Sequence, residues 1–345
     1  MESHILKHAN KRSKDFRPNE KLDRLISQLR MLLAPVQQSV NDYSVFPSHP
    51  LIGIVGCPRS GTTFMTQLLA ATGAVSYPSN LLSRFAYAPH IGALIQQLLM
   101  NPEYDLGQEF ADLRSSNEFS SNVGKTRGAL GINEFFHFWR RFFPHHDPGH
   151  LTEGELEEVE IENLRREVGS IQAVYGKPFM SKIMMLQYNL AYFAEKMPEL
   201  KIVYVQRDPL YLMQSVSQAR IKYYGSNKVW WSVKPKEYSF LKDQEPPAQV
   251  AGQVLFSEQA IYNQLKALPE DRWIMASYED VCESPRIFLA KLADRFSMPE
   301  LIKDLSGVDE RYKSGNTKRL SEEELTILQN EYEKLGGNLR GEAAG

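Results

Sequence analysis

The sequence predicts an α/β protein, a three-layer sandwich with a central parallel sheet, and three observations carry that prediction. Strand-like runs alternate with helix-like runs along most of the chain, the order of a parallel sheet covered on both faces. The strand candidates, such as Leu51-Ile-Gly-Ile-Val and Lys201-Ile-Val-Tyr-Val, are continuous apolar runs, as burial on both faces requires. The residues with chemistry to offer, Gly56 to Thr63, Arg207 and Tyr278, fall at the carboxyl ends of those runs, where ligands bind in such sheets.

Taken in order, residues 1–18 are polar and charged. Leu22, Leu25, Ile26, Leu29, Leu32 and Leu33 then recur at helical spacing after an Asn19 cap, which predicts an amphipathic helix within an N-terminal extension, residues 1–45. Its mixed charge favours packing on the domain surface over membrane docking. A single domain, 46–345, follows. Its elements are a strand at 51–56, a helix at 61–72, a strand at 179–184, a helix at 188–197 and a strand at 201–207. Asp208 as N-cap and Pro209 at the first helical position then open a helix to about 220. A long helix near 248–268, a strand at 273–278 and a helix from 285 to 296 complete the pattern. Two stretches, at about 101–170 and 221–245, break the rhythm and read as insertions at one end of the sheet. The first holds the aromatic block Asn133 to Phe143; the second carries Tyr223, Tyr224, Trp230, Trp231, Tyr238 and Phe240.

Composition narrows the function class. Forty basic against 42 acidic residues leave a formal charge of -2, so the broad positive field of a nucleic-acid binder is missing and any anion binding is local. Cys57 and Cys282 lie far apart with no partner at metal-ligand spacing, which offers neither a disulfide framework nor a zinc site. The first residues lack the apolar core of a secretory signal, and no window approaches the roughly 18 apolar residues of a membrane span. A cytoplasmic location is the expectation.

The strand at 51 runs into Gly56-Cys-Pro-Arg-Ser-Gly-Thr-Thr63, the frame of a phosphate loop. A nucleoside triphosphatase places Lys before the hydroxyl residue to reach the β and γ phosphates. Here that position is Thr62, and the loop's cation is Arg59, inside it. The cradle of backbone N–H groups at a helix N-terminus remains, while the triphosphate grip is lost.

Cys57-Pro-Arg-Ser-Gly-Thr-Thr63, followed by Val205-Gln-Arg-Asp-Pro209 and Ser215, resembles the nucleotide-binding pair of the sulfotransferases of bacterial type, enzymes that use 3′-phosphoadenosine 5′-phosphosulfate (PAPS). The resemblance covers the chain from about 51 to 280 and implies the P-loop NTPase-like sulfotransferase fold. It implies that Arg59, Ser60, Gly61, Thr62 and Thr63 cradle the 5′-phosphosulfate. Arg207 and Ser215, eight residues apart as in the family, would take the 3′-phosphate, and Tyr278 would meet the adenine. Lys318 and Arg319 stand approximately where the family has a late basic segment. Lys182 resembles a lysine that reaches the sulfuryl group, although Met184 replaces the proline of that motif. PAPS is thus the implied co-substrate, adenosine 3′,5′-bisphosphate the product, and no metal is required.

An acceptor hydroxyl must lose its proton as it attacks sulfur, so a base is needed. The candidates are Glu134, His137 and His90. Glu134 leads, because Phe135, Phe136 and Trp139 beside it would desolvate the carboxylate and raise its pKa. The implied partner is a hydroxyl-bearing small molecule, glycan or lipid, whose identity would lie in the two insertions; the aromatic residues of 221–245 either cap it or pack against the core or another subunit. Oligomeric state stays open. Two alternatives stand beside the sulfotransferase: a P-loop kinase or NTPase, which Thr62 and the lack of a Walker B-like acid other than Asp208 disfavour, and a non-catalytic nucleotide-binding protein of the same fold.

Overall fold

Strand β1, Leu51–Val55, is buried along its whole length because it has a parallel neighbour on each side. In the computed structural model, which describes residues 12–13, 16–17, 19–114, 126–145 and 147–338, β1 pairs with β2 (Phe179–Lys182) and with β3 (Leu200–Gln206). Ile52 stands opposite Met180 on one side and Lys201 on the other. Strand β4, Trp273–Ser277, joins the far edge of β3 with Ile202 opposite Trp273, giving the order β2-β1-β3-β4 with every pairing parallel.

Because successive strand residues point to opposite faces, β1 and β3 feed two separate cores. Leu51, Val55, Leu200, Ile202 and Tyr204 pack with Phe138, Trp139, Leu164, Ile171 and Phe193 on one face. Ile52, Ile54, Val203 and Val205 pack with Met65, Leu68, Leu289 and Leu292 on the other. Sheet and two helical layers thus form the predicted sandwich.

Helix α1, Glu20–Tyr43, is capped by the Asn19 side chain, which accepts from the Leu22 amide. It docks through two buried amides, Gln37 and Asn41, while Leu25 and Leu32 of the expected apolar stripe are exposed. Helix α2, Thr62–Ala71, follows the loop after β1. Helices α3 (Pro89–Met100) and α4 (Ile161–Tyr175) precede β2. α4 begins inside the stretch that sequence grouped as an insertion and runs past its end, and its Leu164, Val168 and Ile171 belong to the sheet's core. Helix α5 (Leu190–Lys196) leads to β3, and α6 (Pro209–Tyr224) leaves it with Asp208 capping the Leu210 amide. Helix α7 (Pro246–Leu265) returns to β4, followed by α8 (Tyr278–Glu283), α9 (Pro285–Arg295) and α10 (Glu322–Lys334).

Much of the polar segment 1–18, part of the stretch 101–170 and the last residues of the expected domain lie outside the described residues. Among the described residues no helix is long and apolar enough to cross a membrane.

Candidate active site

The loop between β1 and α2 is shaped by glycines and one strained arginine. A Cβ on Gly56 would stand 2.6 Å from the Val205 carbonyl oxygen, so only glycine lets β1 and β3 approach there. Arg59 itself has φ 76°, a left-handed conformation that costs a non-glycine residue free energy and marks a held geometry. The Ser60 amide donates to the Cys57 carbonyl, 3.0 Å, so it is spent within the loop, and the Ser60 hydroxyl is buried without a protein partner. Sequence expected that N–H to face a phosphate; the turn claims it instead. Gly61, Thr62 and Thr63 line a cavity of about 1450 Å³ at the carboxyl end of the sheet. That volume exceeds the few hundred to roughly 1,000 Å³ of a single small-molecule pocket.

Three strand ends bring cations to this cavity, and the segment before the short helix Phe136–Trp139 brings a carboxylate. From the end of β3, Arg207 donates to the Arg59 carbonyl (2.9 Å) and to Asn316 Oδ1 (2.7 Å), and its guanidinium lies 4.8 Å from the Tyr278 ring centroid. Arg59 Nε donates to the Ser215 hydroxyl at 3.1 Å, which joins the loop to α6. At the end of β2, Lys182 is 3% exposed and donates to Thr63 Oγ1 (2.6 Å) and Glu134 Oε1 (3.1 Å). Burial pulls the pKa of Arg59 down, with the Arg207 charge adding to it, and burial does the same to Arg207. Two desolvated guanidinium groups so close together call for an anion.

Tyr278 packs its ring edge against Gly61, where an added Cβ would come within 2.5 Å, and its hydroxyl accepts from the Gly315 amide at 2.9 Å. Residues 313–321 thereby fold back over the site, helped by Gln214, whose amide donates to the Thr317 carbonyl at 2.8 Å. Sequence passed over Asn316 and Gly315 as site residues; the small residues within Lys313-Ser-Gly-Asn-Thr were the available signal. Arg319 lines the cavity, but Lys318 does not: it is exposed and paired with Glu322 at 3.0 Å on the first turn of α10.

The base candidates separate. His90 sits on α3, with its ring Nδ1 3.1 Å from the Ser170 carbonyl and outside the cavity lining. Glu134 and His137 both line the cavity. Two of the three aromatic residues expected to desolvate Glu134 face elsewhere: Phe135 and Trp139 are 1% exposed in the core, the indole donating to Ser181 Oγ, and although Phe136 lines the cavity, the Glu134 side chain is 41% exposed and paired with Lys182. His137 has its pKa pushed down by desolvation in the cleft and then by Arg140, which favours the neutral, proton-accepting ring. Cys57 and Cys282 are buried thiols with raised pKa values, poor nucleophiles for that reason.

A loop with the frame of a phosphate loop but Thr62 at the lysine position, two arginines joined through it, and a lysine-carboxylate pair at the next strand end line one cavity. Residues 50–302 match the sequence model of the Sulfotransferase family. The chain belongs to the sulfotransferase family. Its fold is similar to that of sulfotransferase STF9 from Mycobacterium avium, with 15% identity, a TM-score of 0.57 and coverage of 98% of this chain and 91% of that one. Sulfotransferase STF1 from Mycobacterium tuberculosis H37Rv is similar at 14% identity and a TM-score of 0.52, over 90% of this chain and 85% of that one. No curated protein sequence matches the chain significantly. In this sulfotransferase the loop cation is thus Arg59, tied to the helix after β3 by Ser215.

Proposed function

We propose that the chain moves the sulfuryl group of PAPS to a hydroxyl of an acceptor by in-line displacement, leaving adenosine 3′,5′-bisphosphate. The observation that carries this reading is the Arg59–Ser215 and Arg207–Arg59 linkage, which gathers two guanidinium groups at the mouth of a loop with no triphosphate lysine. A donor with separate 5′ and 3′ anionic groups fits that arrangement. Gly61, Thr62, Thr63 and Arg59 would hold the 5′-phosphosulfate, Arg207 and Ser215 the 3′-phosphate, with Arg319 beside them and Tyr278 near the adenine.

The chain's own groups then divide the work. The acceptor oxygen bonds to sulfur as the bond from sulfur to the 5′-phosphate oxygen breaks, and the hydroxyl proton passes to Glu134 or to His137. Glu134 is favoured because it shares Lys182 with Thr63, which joins the base to the loop. Lys182 and Arg59 stabilise charge as it develops on the departing phosphate oxygen, a preorganised effect worth roughly 10²- to 10³-fold per donor.

The test is binding and turnover together. Adenosine 3′,5′-bisphosphate should raise the melting temperature, by an amount that grows with ligand over Kd, and transfer of labelled sulfate from PAPS should persist in EDTA. Arg59→Ala should lower kcat roughly 10²- to 10³-fold. Stabilisation by ATP with Mg²⁺ alone, or near-normal turnover by Arg59→Ala, would overturn the reading.

A further inference from the structure

The half of the cavity away from the phosphate loop is positively charged. Setting aside Arg59, Arg207, Arg319 and the paired Lys182 and Glu134, six arginines and lysines line the cavity against two aspartates, Asp23 and Asp147. The chain as a whole carries a formal charge of -2, so this surplus is local to the cleft.

Two of those cations, Arg12 and Arg140, stand out by what they lack. The Nε atoms of both are buried without a hydrogen-bond partner, although both residues line the cavity. Each guanidinium lies near an aromatic wall: Arg140 is 3.8 Å from the Phe136 ring centroid, and Arg12 is 5.4 Å from that of Tyr223. Asp147 reaches Arg140 only at 3.8 Å and is closer to Lys234, at 2.9 Å. The Arg140 pKa is pushed down to about 10, chiefly by burial, with Asp147 opposing the shift and the Arg12 charge adding to it. Like charges brought together in a desolvated cleft are costly unless an anion offsets them.

The N-terminal segment is fastened there. The Ser13 amide donates to the Tyr223 carbonyl (2.9 Å), the Ser13 hydroxyl to the Lys222 carbonyl (2.8 Å), and the Phe16 ring stands 4.6 Å from the Tyr223 ring. Beyond it, Trp230 and Tyr238 meet edge to face at 4.8 Å on the same cavity wall. One end of the cleft therefore offers flat apolar faces beside two guanidinium groups.

We infer that the acceptor is an anion: a hydroxyl compound with a ring body held between Tyr223, Trp230 and Phe136, whose carboxylate, sulfate or phosphate group is bound by Arg12 and Arg140. This inference rests on the sulfotransferase reading and names the substrate class of its site. An anionic group in the cleft would pair with the guanidinium groups that line it, through charge-assisted hydrogen bonds. The hydroxyl would then face Glu134 and His137, which precede Arg140 on the same short segment.

Calorimetric titration of the full chain, saturated with adenosine 3′,5′-bisphosphate, tests this with a matched pair of probes, 6-hydroxy-2-naphthoate and 6-hydroxy-2-naphthamide. The acid should bind at least about tenfold more tightly than the neutral amide, as one charge-assisted pair provides. Both Arg140→Gln and Arg12→Gln should close most of that gap while leaving the bisphosphate affinity unchanged; Arg12 lies in the N-terminal segment, outside the cores on the sheet, so its replacement leaves the fold intact. An amide that binds as tightly as the acid, binding of neither naphthol, or a gap that survives both substitutions would overturn the inference and leave the donor site standing. Failure of the bisphosphate itself to bind the wild-type chain would overturn the donor reading, and the inference with it.

Discussion

Lys182 Nζ lies 3.1 Å from Glu134 Oε1, and it is the lysine that is buried, at 3% exposure, while the carboxylate is open to the cleft. The pair joins the end of β2 to the segment that leads into the aromatic core, and Thr63 closes it onto the phosphate loop. Its asymmetry decides what each partner's removal does.

Glu134→Gln should lower kcat by roughly 10²- to 10⁴-fold, the usual contribution of a positioned base, with unchanged affinity for adenosine 3′,5′-bisphosphate. Steady-state kinetics with PAPS and isothermal titration with the bisphosphate separate the two effects. A variant with full activity would move the base to His137. The same substitution leaves the buried Lys182 ammonium without its carboxylate, so the melting temperature should also fall.

Arg207 makes its contacts through a fork: one arm to the Arg59 carbonyl, one edge to Asn316 and a face on Tyr278. Arg207→Lys supplies the charge but neither the fork nor the stacking face. It should weaken adenosine 3′,5′-bisphosphate about tenfold or more while changing adenosine 5′-monophosphate affinity little. Equal losses for both ligands would place Arg207 away from the 3′-phosphate.

Gly61 combines φ 101° with a Tyr278 ring carbon 2.5 Å from where a Cβ would stand. Gly61→Ala therefore meets both a left-handed backbone penalty and a clash, at a cost of about 1–3 kcal/mol. Relief by moving Tyr278 would also remove the ring beneath Arg207. Denaturant unfolding should record the stability loss, and bisphosphate affinity should fall with it.

Glu258 on α7 lies behind the loop, accepting from the Tyr204 hydroxyl at 2.8 Å, and burial raises its pKa from 4.5 to about 7. A carboxyl that holds its proton more tightly when folded stabilises the fold below its unfolded pKa. That contribution is lost as pH rises from about 4.5 to 7, and is worth about 3 kcal/mol in all by linkage. Glu258→Gln keeps a neutral acceptor for Tyr204 at every pH. Relative to wild type, the variant should thus gain about 3 kcal/mol of stability between pH 4.5 and pH 8, read from urea unfolding at both values. A difference that does not change with pH would show that Glu258 titrates normally.

The sequence by itself determined the sheet, its parallel sense and the loop at its carboxyl edge, because these depend on local patterns. An apolar run can only be a buried strand in that context, Asp208-Pro209 caps a helix by its own chemistry, and the spacing of Gly56 and Gly61 is a backbone requirement. Helix α4 escaped because its apolar positions 164, 168 and 171 are diluted by the charges of Glu162, Arg165, Arg166 and Glu167. Lys318 stands beside Arg319 in sequence, yet it is exposed and pairs with Glu322 at the start of α10 rather than turning into the cavity. The environment of Glu134 was out of reach for a different reason: which side of a short turn a side chain takes depends on a partner 48 positions away, Lys182. Contacts between residues distant in sequence carry no local signal, so only the tertiary structure decided that aromatic residues 135 and 139 fill the core, that Arg59 binds Ser215, and that the N-terminal segment closes over Tyr223 to complete a basic cleft.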